Sequence, residues 1–361
     1  MKALVTGANG LIGANLLRSL IRKGHQALGL VRATSDVSYI SDLPAPLSIG
    51  DVTDIESLAR AMSGCDVVFH TAVHFSYWGH DNAAMQATAV DGTRNVIRAA
   101  QEAGVRRVVI TSSSVTLGAG LKPIVRNEGD VADPDDAGQP GYVGAKIAQE
   151  IAAADFAGKA GVEVVFALPT MSVGAYGSAL GPSNGVITSY LADPLKLSWA
   201  GGCNIVAVQD VADGHLLLAE RGAAGGRYIL GSENLTWLAI HTMIAQLAGV
   251  EPPRHMASAL TCQIIAAAEE VRALVTGRAP LATRTQAAMV GRYYWYDHGA
   301  AAALGYRPQS ARDALAGALA WLSAGPHVSR ETRINMRLDR KVHAARAARH
   351  AAERTLEREA V

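Results

Sequence analysis

MKALVTGANGLIGANLLRSLIRK, residues 1–23, carries the join that decides the fold. A short apolar run, Ala3–Thr6, meets Gly7, and apolar side chains then recur at helical spacing from Leu11 to Lys23. Strand, glycine turn and helix in that order form the opening of a βαβ unit. Three glycines mark the join. Gly7 permits the tight turn, Gly10 lets backbone approach a pyrophosphate, and Gly13 lets the helix pack closely on the strand. Asn9, Leu11 and Ile12 complete the loop, whose free N–H groups at the helix start suit phosphate oxygens.

The same alternation continues through the first 170 residues. Apolar runs at Ala27–Val31, Val67–His70, Val108–Thr111 and Val162–Leu168 are separated by amphipathic stretches at Ile55–Met62, Ala84–Ala103 and Ala145–Lys159. Continuous apolar strands spaced by helices imply a parallel sheet covered on both faces, in an α/β, doubly wound architecture. After Leu168 the alternation stops. Pro169–Gly202 is rich in Gly, Ser and Pro, and Leu235–Ala324 reads as mostly helical. The expected organisation is a nucleotide-binding domain over 1–173, with 203–234 returning to it. A smaller substrate lobe over 174–202 and 235–325 follows, and then a charged tail over 326–361 expected as one long polar helix.

Composition narrows the function. Of 361 residues, 33 are basic and 32 acidic, for a net charge of +1, so no broad field exists to gather nucleic acid or coat an anionic membrane. Apolar residues make up 49%, yet no stretch approaches the roughly 18–20 residues of a membrane helix. The N-terminus reaches glycine within seven residues and reads as a buried strand, not a targeting segment. The three cysteines, Cys65, Cys203 and Cys262, are scattered and show no CxxC pair, so neither disulfides nor a metal site is expected and a cytoplasmic location is.

Strand ends supply the remaining cofactor contacts. After the second strand stands Leu30-Val31-Arg32-Ala33-Thr34-Ser35, with no carboxylate until Asp36. Arg32, helped by Ser35, can pair with a ribose 2′-phosphate, so NADP(H) is expected over NAD(H). Asp51 and Val52 follow the third strand beside the adenine, and Thr71, Ala72 and Val73 run along the cofactor after the fourth. His70 is read as a packed, satisfied histidine without a catalytic role.

Tyr142-Val143-Gly144-Ala145-Lys146 opens a later helix, and its i, i+4 spacing puts both ends on one face. It follows Thr111-Ser112-Ser113-Ser114, whose hydroxyls belong at the carboxyl end of the fifth strand. A tyrosine with an ordinary pKa of about 10 needs help to exchange protons near neutrality. The Lys146 ammonium one turn away is expected to lower that value, and a serine hydroxyl can hold the substrate oxygen while hydride moves.

With these motifs in order, the sequence resembles the extended short-chain dehydrogenase/reductase family from Met1 to about Gly325. It looks closest to the branch of dihydroflavonol reductases, 3β-hydroxysteroid dehydrogenases and hopanoid-associated sugar epimerase-like proteins. Leu30-Val31-Arg32, Thr111-Ser112-Ser113, Gly231–Thr236 and Leu304-Gly305-Tyr306-Arg307-Pro308 carry that placement. The resemblance implies a Rossmann-type sheet and a Ser-Tyr-Lys set of Ser113, Tyr142 and Lys146. Ser113 follows from the family's spacing to Gly118, with Ser114 as the alternative. Two positions depart from the family: Ala89 stands where an Asn is usual, and Leu168 precedes Pro169 where Asn or Arg is usual. Pro169 to Ser172 are still expected to line the nicotinamide.

His74, Phe75, Tyr77 and Trp78 follow the fourth strand and are expected, with Ser114, to contact substrate as an apolar wall. Gly177–Ser189 and the Met256–Leu274 helix add apolar surface. Between Pro169 and Gly202 the only basic residue is Lys196, which argues against a second diphosphate. The expected activity is NADP-dependent reduction of a moderately apolar ketone, or oxidation of the alcohol. The alternatives are a nucleotide-sugar epimerase or dehydratase and a non-catalytic NADP sensor. The expected partner is a small-molecule substrate, and the expected assembly a homodimer.

Overall fold

The structure is a computed structural model that describes residues 1–72, 78, 82–133, 141–277, 280 and 282–359. Val73, His74, Phe75 and Tyr77, expected at the cofactor and substrate, lie outside the described residues.

Six strands come first: β1 (Lys2–Thr6), β2 (Gln26–Val31), β3 (Leu47–Ile49), β4 (Val67–His70), β5 (Arg107–Thr111) and β6 (Glu163–Pro169). Beyond Pro169 follow β7 (Met171–Val173), β8 (Leu197–Trp199), β9 (Gly202–Ala207), β10 (Arg227–Leu230), β11 (Glu233–Thr236), β12 (His255–Ala257) and β13 (Tyr293–Tyr294). The helices between the early strands are α1 (Leu11–Arg22), α2 (Ile55–Met62), α3 (Asn82–Glu102) and α4 (Gly141–Ala160). Later come α5 (Pro182–Ala192), α6 (Val208–Arg221), α7 (Trp237–Ala248), α8 (Ala259–Thr276) and α9 (Arg284–Ala287). The chain closes with α10 (Gly299–Leu304), α11 (Ala311–Leu322), α12 (Arg330–Ile334) and α13 (Arg340–Glu359).

The described residues form a seven-stranded parallel sheet in the order β10-β6-β5-β4-β1-β2-β3. Side chains alternate along each strand, so each residue commits to one face. Ala3, Val5, Phe69 and Val109 join α1 and α6 in one core, while Leu4, Val68, Val108 and Ile110 join α2, α3 and α4 in the other. Both layers are closed to solvent at their centres: Leu4, Val5, Val68, Phe69 and Ile110 are completely buried. Each such side chain contributes roughly 1.5–3 kcal/mol of apolar burial.

Within the 203–234 stretch expected to return, β10 (Arg227–Leu230) joins the main sheet beside β6, but β9 does not. Gly202–Ala207 instead sits between β7, β11 and β13 in a second sheet. Its inward residues Ile205 and Ala207 pack with Val173, Ile187, Ile240, Ile244, Leu315 and Leu319 into a third core. An apolar strand serves any sheet equally well, so the sequence pattern alone does not choose between them.

The tail also differs from the expected single helix. It breaks between α12 and α13, and α13 lies against α11, with Val342 completely buried and Arg349 5.1 Å from the Trp321 ring centroid. Tyr176 donates to Glu353 on this helix at 2.8 Å. Met256, expected in a helix, belongs to β12 and pairs with β8, while α8 leaves Leu260, Ile264, Val271, Leu274 and Val275 exposed.

Candidate active site

Strand order reverses between β1 and β4, and the crevice beyond the carboxyl ends of the strands opens at that reversal. Gly7, Arg32, Asp51, Thr71 and Ser112–Ser114 all follow the ends of parallel strands on this one edge. Parallel pairing is what gathers them, since every strand delivers its last residue to the same side.

The glycine loop has little spare room beneath it. Gly7 has a φ of +67°, and a Cβ there would stand 2.7 Å from Ala72 Cα. A Cβ on Gly13 would stand 2.3 Å from the Gly7 carbonyl oxygen. Gly10 is different: its nearest obstruction is the Gly7 oxygen at 3.3 Å, and its other side is open. Gly10 N–H donates to the Gly7 carbonyl at 3.0 Å and caps the turn, while α1 begins at Leu11 with Ile12 beside it. Asn9 reaches Ser178 at 3.4 Å, and Asn15 donates to the Ala175 carbonyl at 2.8 Å, so the loop after β7 is tied to this turn. A cradle closed beneath and open above, at the start of a twelve-residue helix, fits a dinucleotide pyrophosphate.

Arg32 is exposed at the end of β2, and its backbone N–H is held by Ser35 Oγ at 3.2 Å. Asp51 accepts from Thr53 N–H at 2.9 Å and from the Thr53 hydroxyl at 2.8 Å. Those bonds, with Arg32 nearby, hold its carboxyl below the usual range. Val52 packs over Gly92 on α3, and its carbonyl accepts from Asn95 at 3.1 Å. Thr71 donates to the Thr6 carbonyl at 2.7 Å, and Ala72 N–H lies 3.4 Å from Thr6 Oγ1. Pro169 ends β6, and the buried Ser172 turns its hydroxyl to the Thr170 carbonyl at 3.0 Å. Ser172 thereby spends its hydroxyl hydrogen on this chain's own backbone.

The three consecutive serines after β5 have different fates. Ser112 is buried and bonds to Glu150, which also accepts from Thr116 at 2.9 Å and pairs with Arg227 at 2.9 Å. Ser114 is buried and meets the Tyr296 hydroxyl. Ser113 is partly exposed, begins a short 3-10 turn over Ser114–Leu117, and hydrogen-bonds the Tyr142 hydroxyl.

Tyr142 and Lys146 leave α4 one turn apart, with Lys146 Nζ 6.0 Å from the phenol ring centroid. Packing around the Tyr142 hydroxyl raises the phenol above its ordinary value, and the Ser113 hydrogen bond opposes that rise. The sequence-based expectation assigned the lowering to Lys146; here Ser113 supplies it. Lys146 is itself 2% exposed, and burial brings it down to about 7 against the pull of Glu150. Its ammonium donates to the Thr111 carbonyl at 2.7 Å and to Gln149 Oε1 at 2.8 Å. Gln149 was not among the residues singled out in the sequence, although a glutamine amid the alanines of α4 is a signal. His70 is completely enclosed, with Thr6 and Thr93 on its two nitrogens at 2.9 and 3.1 Å, and burial with Lys146 nearby drives it down to about 3. Trp78 is half-buried.

Residues 3–231 match the NAD dependent epimerase/dehydratase family. The chain is 33% identical over 327 residues to a Synechocystis sp. protein named "Putative dihydroflavonol 4-reductase", covering 88% of this chain and 93% of that one. It is 30% identical over 254 residues to sterol demethylase protein B of Methylococcus capsulatus, covering 70% of this chain and 76% of that one. Among solved structures, gox2253 superposes with a TM-score of 0.79 at 33% identity, over 91% of this chain and 99% of that chain.

Proposed function

The chain belongs to the NAD dependent epimerase/dehydratase family, as an extended short-chain dehydrogenase/reductase of the dihydroflavonol-reductase-like branch, and from that premise we propose that it is an NADP-dependent carbonyl reductase. Its substrate on this reading is a moderately apolar ketone, or the alcohol in reverse. The observation that carries the proposal is the Ser113–Tyr142 hydrogen bond beside Lys146 at the carboxyl edge of β5.

A dinucleotide held by its pyrophosphate in the glycine cradle would supply or accept hydride through its nicotinamide. The chain's residues handle the oxygen and its proton. Ser113, the one partly exposed serine of the three, donates a hydrogen bond to the substrate oxygen. Tyr142, like any phenol, holds its proton at neutral pH and can give it up as the general acid in reduction, and the Ser113 hydrogen bond works against the rise that burial imposes. As charge builds on the phenol oxygen, the Lys146 ammonium on the same helix face stabilises it.

Two further observations support the details. Arg32 stands exposed where a 2′-phosphate would lie, and no acid replaces it, which favours NADP(H). Lys196 spends its ammonium on the Tyr190 and Leu191 carbonyls at 3.1 and 3.0 Å. Two of its three N–H donors are thereby committed to this chain's own backbone, which weighs against its serving a second diphosphate. Among the described residues no helix is long and apolar enough to cross a membrane. A cytoplasmic homodimer is a separate part of the proposal. The test is a panel of ketones of graded size with NADPH, followed by absorbance. Consumption with apolar ketones supports the reading; purified protein that retains oxidised cofactor and consumes none points to an epimerase.

A further inference from the structure

A line of buried side chains runs from Lys146 to the base of the glycine loop. Gln149 accepts from Lys146 Nζ at 2.8 Å, and its Nε2 donates to Thr93 Oγ1 at 2.9 Å. Thr93 Oγ1 lies 3.1 Å from His70 Nε2, and His70 Nδ1 lies 2.9 Å from Thr6 Oγ1. Thr6 is the last residue of β1, next to Gly7. Thr6, Thr93 and Gln149 are 0% exposed and His70 is 1% exposed.

Donor and acceptor chemistry gives this line one direction. An ammonium only donates, so the amide oxygen must face Lys146 and the amide NH₂ must face Thr93. Thr93, accepting from Gln149, passes its own hydrogen to His70 Nε2. The single proton of the neutral imidazole then sits on Nδ1 and points at Thr6. Every link in the line is then made, and a second proton on His70 would break the Thr93 link.

We propose that Gln149 is a positioning residue for the reaction: it fixes the Lys146 ammonium opposite Tyr142 and, through Thr93 and His70, couples it to the dinucleotide loop. The α4 backbone makes the reach short, since Gln149 is three residues on from Lys146 and on the same face. A buried ammonium deprived of an acceptor gives up its charge more readily. Gln149 therefore helps to decide whether Lys146 is charged when the phenol needs it. The other titratable groups that face Lys146 are Tyr142 and Glu150 on α4 and His70 on β4.

The inference rests on the reductase reading for its effect on turnover, so the experiment has one arm that needs no substrate. Full-length protein is labelled with ¹³Cε-lysine, the Lys146 resonance is assigned by its loss in Lys146→Met, and its titration is followed in wild type, Gln149→Leu and Gln149→Glu. Gln149→Leu should lower the Lys146 midpoint by about one pH unit and reduce kcat for ketone reduction with NADPH about tenfold at pH 7, with KM changed less than twofold. Gln149→Glu keeps an acceptor and adds a negative charge, so the midpoint should rise by a unit or more and most of kcat should return. Equal Lys146 midpoints in the three folded proteins overturn the proposal. If Gln149→Leu does not fold, Gln149→Glu decides alone: a midpoint no higher than that of wild type overturns it. Wild type that consumes no NADPH with any ketone defeats the reductase reading separately, and the Lys146 titration still judges Gln149.

Discussion

Substituting alanine at Gly13 and at Gly10 should separate packing from ligand approach within one loop. At Gly13 the new Cβ would stand 2.3 Å from the Gly7 carbonyl oxygen and 2.9 Å from Ala8 Cα, both backbone, so α1 or the turn must shift by nearly 1 Å. Overpacking of that kind costs about 1–3 kcal/mol. With unfolding entropy near 2.1 cal/mol/K per residue, a chain of 361 residues should lose about 1.3 °C of Tm per kcal/mol. Gly13→Ala should thus melt about 1–4 °C lower and bind NADPH more weakly, because the distorted turn is the cradle. At Gly10 the backbone is φ −74°, ψ 166°, which any residue adopts, and the Cβ meets one atom at 3.3 Å. Its Tm should stay within about 1 °C, since the modest gain from a stiffer unfolded chain offsets the modest loss of glycine at an N-cap. NADPH affinity should nevertheless fall tenfold or more, because the methyl occupies the open side of the loop. Differential scanning fluorimetry and NADPH fluorescence titration read both quantities. Unchanged NADPH affinity in Gly10→Ala would falsify the assignment of this face to the pyrophosphate.

Arg32→Ala removes a charge-assisted phosphate contact worth roughly 1.5–3 kcal/mol, so NADPH binding should weaken at least tenfold with NADH nearly unchanged; equal losses would reject the role. Burial lowers His70 to about 3 and His215 and His241 to about 4, below their unfolded value. The unfolded chain therefore takes up protons first, and stability present above about pH 6.5 should fall as pH drops toward 4 and 3, by about 1.4 kcal/mol per pH unit for each histidine. Urea midpoints at pH 7, 6 and 5 check this, and pH-independent midpoints would contradict it. Trp78→Ala should raise KM for bulky apolar ketones more than for small ones, because larger substrates bury more surface; a uniform fall in kcat would reject Trp78 as a specificity wall.

Local signals made the glycine loop and the Tyr142/Lys146 pair visible in the sequence. Gly7, Gly10 and Gly13 lie within one turn and its helix, and Tyr142 and Lys146 lie one helical turn apart, so short-range geometry decides their placement. Gln149, Thr93 and His70 come from α4, α3 and β4, and only the packing of the sheet brings them together. His70 read correctly as a satisfied histidine, but its partners were not readable from the sequence. Ser112, Ser113 and Ser114 look alike in sequence; Glu150, Tyr142 and Tyr296, each distant along the chain, distinguish them. The charged composition of the tail suggested one long polar helix. Val342 and the contacts of Arg349 and Glu353 with Trp321 and Tyr176 are individual anchors that an average over the tail conceals.

The central claim, that Tyr142 moves the proton while hydride is transferred, meets its most direct test in Tyr142→Phe. The ring and its packing are kept, and only the hydroxyl that meets Ser113 is lost. With the best ketone of the panel and NADPH at pH 7, kcat should fall by about 10²–10⁴, while NADPH affinity and melting temperature stay close to wild type. Retention of more than about a tenth of wild-type kcat would contradict the account and place the proton donor elsewhere in the crevice.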